Sequence, residues 1–379
     1  MAVQGHGVRE RRRGMNILVR GDASTDIGTG HVMRCLTLAD ALTAAGHAVR
    51  FITRLHPGHL ADAIRGRGYS VDELPARNEP DLTGYARWLG TTEAQDADDC
   101  VALIDEYRPD WLVVDHYALG RAWEDRFRSE TIRILAMDDL AERPHSCDLL
   151  LDQTWGRAAA DYQSLIPAGC QALCGSDYAL LRPEFAARRD HSLRRRREGA
   201  VRSILVTMGG VDKDNATGQI LSALTQATLA PGTELTVVMG ASAPWRDAVA
   251  AAAKAMPWPT QVVSGVSDMA DRMANADLAI GAAGATSWER CCLGLPSVMV
   301  VLAENQRTVA TNLEKAGAAL LIDEPAKIKT HLPELVGALA ANPERVKQMA
   351  GQAAAIVDGR GVERVVAAIA TMTEGKRVF

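Results

Sequence analysis

Short apolar runs alternate with stretches of helical periodicity along almost the whole chain. Runs that read as buried strands fall at 16–20, 48–53, 69–74, 110–115, 132–137 and 148–151, with helical spacing at 32–42, 59–65 and 92–107. The pattern restarts with strands at 202–208, 235–239, 261–264, 278–281, 297–301 and 319–322. Helices are predicted between them, opening near 215 and covering 244–255, 269–276, 287–293, 306–316 and 328–341; two more, at 343–357 and 361–373, close the chain. Continuous apolar strands interleaved with helices predict parallel sheets covered on both faces, the doubly wound α/β class. The expected division is a disordered extension over 1–14, a first Rossmann-like domain over 15–185, a linker over 186–199 where Arg and Glu cluster without periodicity, and a second domain over 200–357. A C-terminal helix within 358–379 is placed to pack back on the first domain, and residues 76–92 read as a polar connection.

Composition narrows the class. A chain of 379 residues exceeds what one core usually holds, which agrees with two domains. Apolar residues make up 47% and aromatic ones only 4%, a balance that suits α/β layers better than a β-sandwich. The net charge of −5 argues against a dedicated nucleic-acid binder, and the basic runs at 9–13 and 194–197 read as solvated tail and linker. Seven cysteines without C-x-x-C spacing indicate neither a zinc ribbon nor a disulfide framework, so reduced thiols and a cytoplasmic location are expected. Residues 1–14 lack the apolar core of a signal peptide, and no apolar run is long enough to cross a bilayer; no membrane association is expected.

Two loops carry candidate chemistry. In the second half, Gly284, Ala285, Thr286 and Ser287 lie between an apolar strand and a helix bearing Glu289. Glycine lets backbone approach a phosphate, and Glu289 can accept hydrogen bonds from vicinal ribose hydroxyls. Taken alone, the stretch is equally an ordinary capped βα turn. Gly209 and Gly210, followed by Asn215 at a helix start, form a second, weaker turn of this type without a Walker or spaced-glycine fingerprint. In the first half, Gly28 and Gly30 sit in a polar loop ending at His31, at a helix N-terminus that favours a neutral imidazole able to accept a proton. Asp22 shares this loop, and Asp115 and Tyr117 follow a strand where open sheets place ligands; helix capping also explains such an Asp.

These residues, with Arg20-Gly-Asp-Ala-Ser24, Ile27-Gly-Thr-Gly-His31-Val-Met-Arg34, Val114-Asp-His-Tyr117, Met137-Asp-Asp-Leu140, Leu151-Asp-Gln153, Tyr178-Ala-Leu-Leu-Arg182 and Ala303-Glu-Asn-Gln306, resemble the UDP-sugar hydrolases of pseudaminic acid biosynthesis. That family lies in the GT-B group, with the lipid II-forming N-acetylglucosaminyltransferase. The resemblance runs from Met15 onward and departs at Thr154, where relatives are expected to carry Asn. It implies a GT-B-like pair of Rossmann-like domains facing each other across a cleft. It further implies metal-independent, cofactor-free hydrolysis of UDP-2,4-diacetamido-2,4,6-trideoxy-β-L-altropyranose with inversion, by a monomer serving surface-glycan synthesis such as flagellin glycosylation. In that reading His31 is the base, assisted by Asp22, Asp115 and Tyr117, with Asp138 a further candidate. Gly28, Gly30, Arg34, Gln153, Tyr178, Arg182, Asn305 and Gln306 contact substrate, and Gly209, Gly210, Asn215, Gly284, Ala285, Thr286, Ser287 and Glu289 hold UDP. The rival readings are a glycosyltransferase with an alcohol or lipid acceptor and a catalytically silent UDP-sugar-binding protein.

Overall fold

A computed structural model describes residues 14–375 except 242, so the expected extension lies, apart from Gly14, outside the described residues. The first half comprises β1 (Asn16–Gly21), α1 (Gly30–Ala44), β2 (Ala48–Arg54), α2 (Ala61–Gly66), β3 (Ser70–Leu74), α3 (Ala86–Leu89), α4 (Glu93–Tyr107), β4 (Trp111–Asp115), α5 (Arg121–Glu124), β5 (Arg133–Met137), β6 (Leu149–Asp152) and β7 (Gln171–Cys174). After α6 (Pro183–Arg195) come β8 (Ser203–Thr207), α7 (Ala216–Leu224), β9 (Glu234–Met239), α8 (Arg246–Lys254), β10 (Thr260–Ser264), α9 (Met269–Asn275) and β11 (Leu278–Ala282). The chain ends through α10 (Thr286–Cys292), β12 (Ser297–Val300), α11 (Arg307–Lys315), β13 (Ala319–Ile322), α12 (Ile328–Ala340), α13 (Pro343–Ile356) and α14 (Gly361–Gly375).

The strands form two sheets, ordered β3-β2-β1-β4-β5-β6-β7 and β10-β9-β8-β11-β12-β13, and the pairings are parallel throughout. Each sheet is covered on both faces, with separate apolar clusters above and below it. This is the arrangement that the continuous apolar runs specify, because a parallel strand buried on both faces has no polar side to alternate with.

Two segments depart from the sequence pattern. β7 is a strand that the pattern does not mark, since only Leu173 of its four residues is buried. The stretch expected as an aperiodic linker is largely α6, started by Pro183 at its first turn and packed on α9 and α10. Its inner face hides from a hydrophobic pattern because it is built partly of arginines. Arg189 donates to the carbonyls of Ala354 (2.7 Å) and Val357 (2.9 Å) at the end of α13; Arg196 donates to those of Met273 (2.8 Å) and Ala276 (2.9 Å) at the end of α9. Cations satisfying the orphan carbonyls of helix C-termini take the place of apolar packing.

α14 returns to the first sheet. Val365 and Ile369 are fully buried in its cluster, and Trp111 Nε1 donates to Thr373 Oγ1 at 3.0 Å. Among the described residues no helix is long and apolar enough to cross a membrane.

Candidate functional site

In both sheets the strand order reverses between two neighbours, β1 and β4 in the first and β8 and β11 in the second. Loops at the carboxyl ends of such a pair diverge and leave a crevice. The loop after β1 meets the loop after β8: a Cβ added to Gly210 would stand 3.0 Å from Thr29 Oγ1. The two crevices are thus brought face to face, and Asn312 Nδ2, donating to Trp155 O at 2.8 Å, ties the domains together at a second point.

Within the first crevice the loop after β1 is held in shape locally. Ser24 Oγ accepts from the N–H groups of Asp26 (3.1 Å) and Ile27 (2.9 Å), and Gly28, at φ +81°, donates its N–H to Ser24 O at 2.9 Å. Chain direction is thereby fixed into α1, whose first turn carries His31, with Arg34 one turn further on the same face. Both reach Asp115, the last residue of β4. His31 Nδ1 lies 2.6 Å from Asp115 Oδ1, and Arg34 donates from Nε to Oδ2 and from a terminal nitrogen to Oδ1, each at 2.7 Å.

Burial pushes the Asp115 carboxyl up, but Arg34 and then His31 outweigh it and hold the group well below the usual carboxylate range. An ionised Asp115 only accepts, so the Nδ1 proton belongs to His31 and Nε2 is the nitrogen left to take a proton. The imidazole is seated edge-on against the Tyr117 ring, with centroids 4.7 Å apart. Tyr117 itself is not free to act as an acid: burial raises its phenol, and its O–H donates to Asp139 Oδ2 at 2.7 Å. Arg34 bridges the two aspartates by also binding Asp139. Tyr85 and Trp88 pack on Tyr117, extending an aromatic wall beside His31. They belong to the segment read as a polar connection; the i, i+3 spacing of two aromatics was the available signal.

Other expected site residues are placed elsewhere. Asp22 is fully buried and does not touch His31; it takes two hydrogen bonds from Arg20 (2.6 and 2.8 Å), one from Arg54 N (2.7 Å) and one from Thr53 Oγ1 (3.2 Å). A carboxylate with its lone pairs so occupied braces the loop instead of orienting water. Asp138 is likewise consumed by Arg143, Ala141 N and Tyr162. Gln153 Oε1 accepts from Leu180 N at 3.0 Å, and Tyr178 packs against the first-domain core. Thr154, the departure from the family pattern, is buried with its N–H donated to Asp152.

On the second crevice, Asn215 caps α7 through Gly218 N (3.0 Å), while Asp212 takes the N–H groups of Ala216 (2.8 Å) and Thr217 (3.0 Å). Those donors are therefore spent within the chain, and Asn215 is a structural cap. Gly209, at φ +94°, has nothing within 4 Å of where a Cβ would sit, and Ala285 is exposed at the tip of the other turn. Glu289 faces Arg182 across the domain boundary at 3.8 Å, and Arg182 also pairs with Glu184 at 3.0 Å. Burial pushes the Glu289 carboxyl up to about 7 against the pull of Arg182 and Arg290. Gln306 uses its Oε1 on Leu302 N (3.0 Å), and Asn305 stands half-buried beside it. Ser287 is turned under the turn and accepts from Arg290, a buried cation that the motif reading passed over.

Residues 203–364 match the description of the glycosyltransferase family 28 C-terminal domain. The second domain is similar to that family over most of its length. Similar proteins include the UDP-2,4-diacetamido-2,4,6-trideoxy-beta-L-altropyranose hydrolase of Campylobacter jejuni, 32% identical over 211 residues, and the spore coat polysaccharide biosynthesis protein SpsG of Bacillus subtilis, 30% identical over 203 residues. These alignments take in 55% and 53% of this chain but only 66% and 58% of the relatives, short of two thirds of either. Among solved structures, MurG of Acinetobacter baumannii superposes with a TM-score of 0.64 over 94% of this chain and 99% of its own, at 17% identity. The spinosyn rhamnosyltransferase SpnG does so at 0.60, over 93% and 100%, at 18% identity. At such identities these likenesses show the fold: the two domains form a GT-B pair.

Proposed function

We propose that the chain hydrolyses a UDP-sugar at its anomeric carbon, and that the sugar is 2,4-diacetamido-2,4,6-trideoxy-β-L-altropyranose. The observation that carries the reaction type is the Asp115–His31 dyad, in a crevice whose β1 loop meets the glycine turn after β8 on the opposite domain. Water held at His31 Nε2 attacks the anomeric carbon from the face opposite UDP. Its proton passes to Nε2, the imidazolium is balanced by Asp115, and the C–O bond electrons leave with the UDP oxygen, inverting the centre. The aromatic wall of Tyr85, Trp88 and Tyr117 offers an apolar surface to deoxy and acetamido methyl groups. The choice of sugar is supported by the similarity to the Campylobacter hydrolase. UDP release from the altrose-configured substrate, undiminished by EDTA, tests the reaction, the substrate and the proposed independence from metal together.

The match of residues 203–364 to the glycosyltransferase family 28 C-terminal domain favours one other reading, transfer to an alcohol or lipid acceptor. Acceptor-dependent UDP release, with negligible release in buffer alone, would establish that alternative.

Glu289 gives the nucleotide half a pH signature. Its raised carboxyl supports the fold fully below its ordinary value of 4.5, and that support is lost as pH rises through about 7. Ribose hydroxyls donate best to the carboxylate, so binding favours the ionised form. Uridine, which has no phosphate to titrate, is expected to bind about tenfold more weakly at pH 6 than above pH 8. Glu289→Gln should flatten that profile at the weaker level in calorimetric titrations; an identical slope in the variant would remove Glu289 from ribose binding.

A further inference from the structure

Among the described residues, the buried arginines are met by carboxylates or helix-end carbonyls, with one exception. Arg20 meets Asp22 and Asp96 at 2.6 and 2.7 Å, Arg54 meets Asp96 at 2.6 Å, and Arg34 meets Asp115 and Asp139 at 2.7 Å. Arg196 has no carboxylate but is surrounded by helix-end carbonyls. Arg290, on α10 and 1% exposed, has neither. Among the described residues no carboxylate lies within ion-pair distance of it. One terminal nitrogen donates to Ala282 O (2.8 Å) and Ser287 Oγ (3.0 Å), the other reaches Thr286 Oγ1 at 3.5 Å, and Nε is buried without a partner.

The backbone is cut to admit this guanidinium. A Cβ on Gly281 would stand 2.3 Å from its terminal nitrogen and 2.9 Å from Thr207 O, so glycine is needed near the end of strand β11 for the side chain to lie beneath the 284–287 turn. A buried cation without an ion-pair contact is costly, and burial pulls Arg290 down to about 10, offset only in part by the longer-range attraction of Glu289. An anion arriving above the turn would offset that cost.

The geometry points to Arg290 as the residue that selects a nucleoside diphosphate over the bare nucleoside, acting from beneath the turn through Thr286. This rests on the UDP-site reading above and assigns its diphosphate half. Guanidinium only donates, so by donating to the hydroxyl oxygens of Thr286 and Ser287 it leaves their own protons free. Thr286, half-exposed at the turn, can then donate outward to a phosphate oxygen, and the charge behind it adds attraction in a site of low dielectric. Arg290 is a positioning residue and touches no reacting atom.

The test compares UDP and uridine binding, by calorimetry, for wild type, Arg290→Met and Gly281→Ala, with melting of the free proteins. Arg290→Met should weaken UDP about tenfold or more, leave uridine within about twofold, and melt no lower than wild type, because a lone buried cation has been removed. Gly281→Ala, which crowds the guanidinium without deleting it, should show the same selective loss. If UDP and uridine weaken in parallel, or the variants keep the wild-type preference for UDP, Arg290 is only a structural prop and the proposal fails. A wild type that does not distinguish UDP from uridine would overturn the diphosphate site itself, an outcome separable from failure of Arg290 alone.

Discussion

His31→Ala is expected to release UDP from the sugar nucleotide ~10²–10⁴-fold more slowly than wild type, the usual cost of losing a general base. UDP affinity should stay within about twofold, because the imidazole belongs to the first crevice and the nucleotide contacts to the second. The loss should appear in kcat more than in KM, since a base that acts on water contributes in the transition state and little to substrate binding. Asp115→Asn should reproduce part of the defect. An amide can donate to Nδ1, so His31 can turn its proton to Nε2, where it no longer accepts one from water; Asp115 bonds Nδ1 at 2.6 Å in the native protein. Rate measurements with saturating substrate, alongside UDP titration of both variants, check this. A His31→Ala enzyme with near-native kcat would remove the dyad from the mechanism.

Asp22→Ala is expected to fail differently. The carboxylate is fully buried, holds Arg20 through both oxygens, and fastens β1 to Arg54 N at the end of β2. Removing it leaves Arg20 with Asp96 alone, a carboxylate that Arg54 also uses, and the Arg54 N–H without its acceptor, so ~3–5 kcal/mol of stability should be lost. Thermal or urea unfolding checks the magnitude. At a temperature where the variant is still folded, its kcat should remain close to wild type, whereas a residue that orients the attacking water would lose turnover with little loss of stability. The two substitutions thus separate the residue proposed for the chemistry from one of the frame, although both lie in or beside the same strand-to-helix loop.

That pair also shows what is legible in the sequence. His31 and Asp115 could be named because position along the chain, at a helix start and at a strand end, is local information. Whether an aspartate is spent on the fold is not local: Arg54 and Thr53, which occupy Asp22, are brought to it by the pairing of β1 with β2. Asp138, Gln153 and Asn215 are polar residues at element ends whose partners, for the same reason, lie in tertiary contacts or in a cap that the pattern does not display. The fold was legible where apolar runs are continuous. It was hidden in β7, where one buried leucine carries the strand, and in α6, where arginines capping other helices replace an apolar stripe. Arg290 escapes the motif reading because an arginine in the last turn of a helix reads as solvated; only its burial and the slot at Gly281 mark it. Tyr85 and Trp88 were lost in a segment whose average polarity masked two rings that converge on Tyr117.

Proton NMR of the sugar formed in the first seconds of turnover, recorded while UDP release is followed from the altrose-configured UDP-diacetamido sugar, tests the central claim most directly. The hydrolase reading expects UDP release in buffer alone, with the anomer of inverted configuration appearing first and mutarotating only later. UDP release that requires an added alcohol or lipid acceptor, or a first-formed sugar of retained configuration, would contradict water activation by the His31–Asp115 dyad.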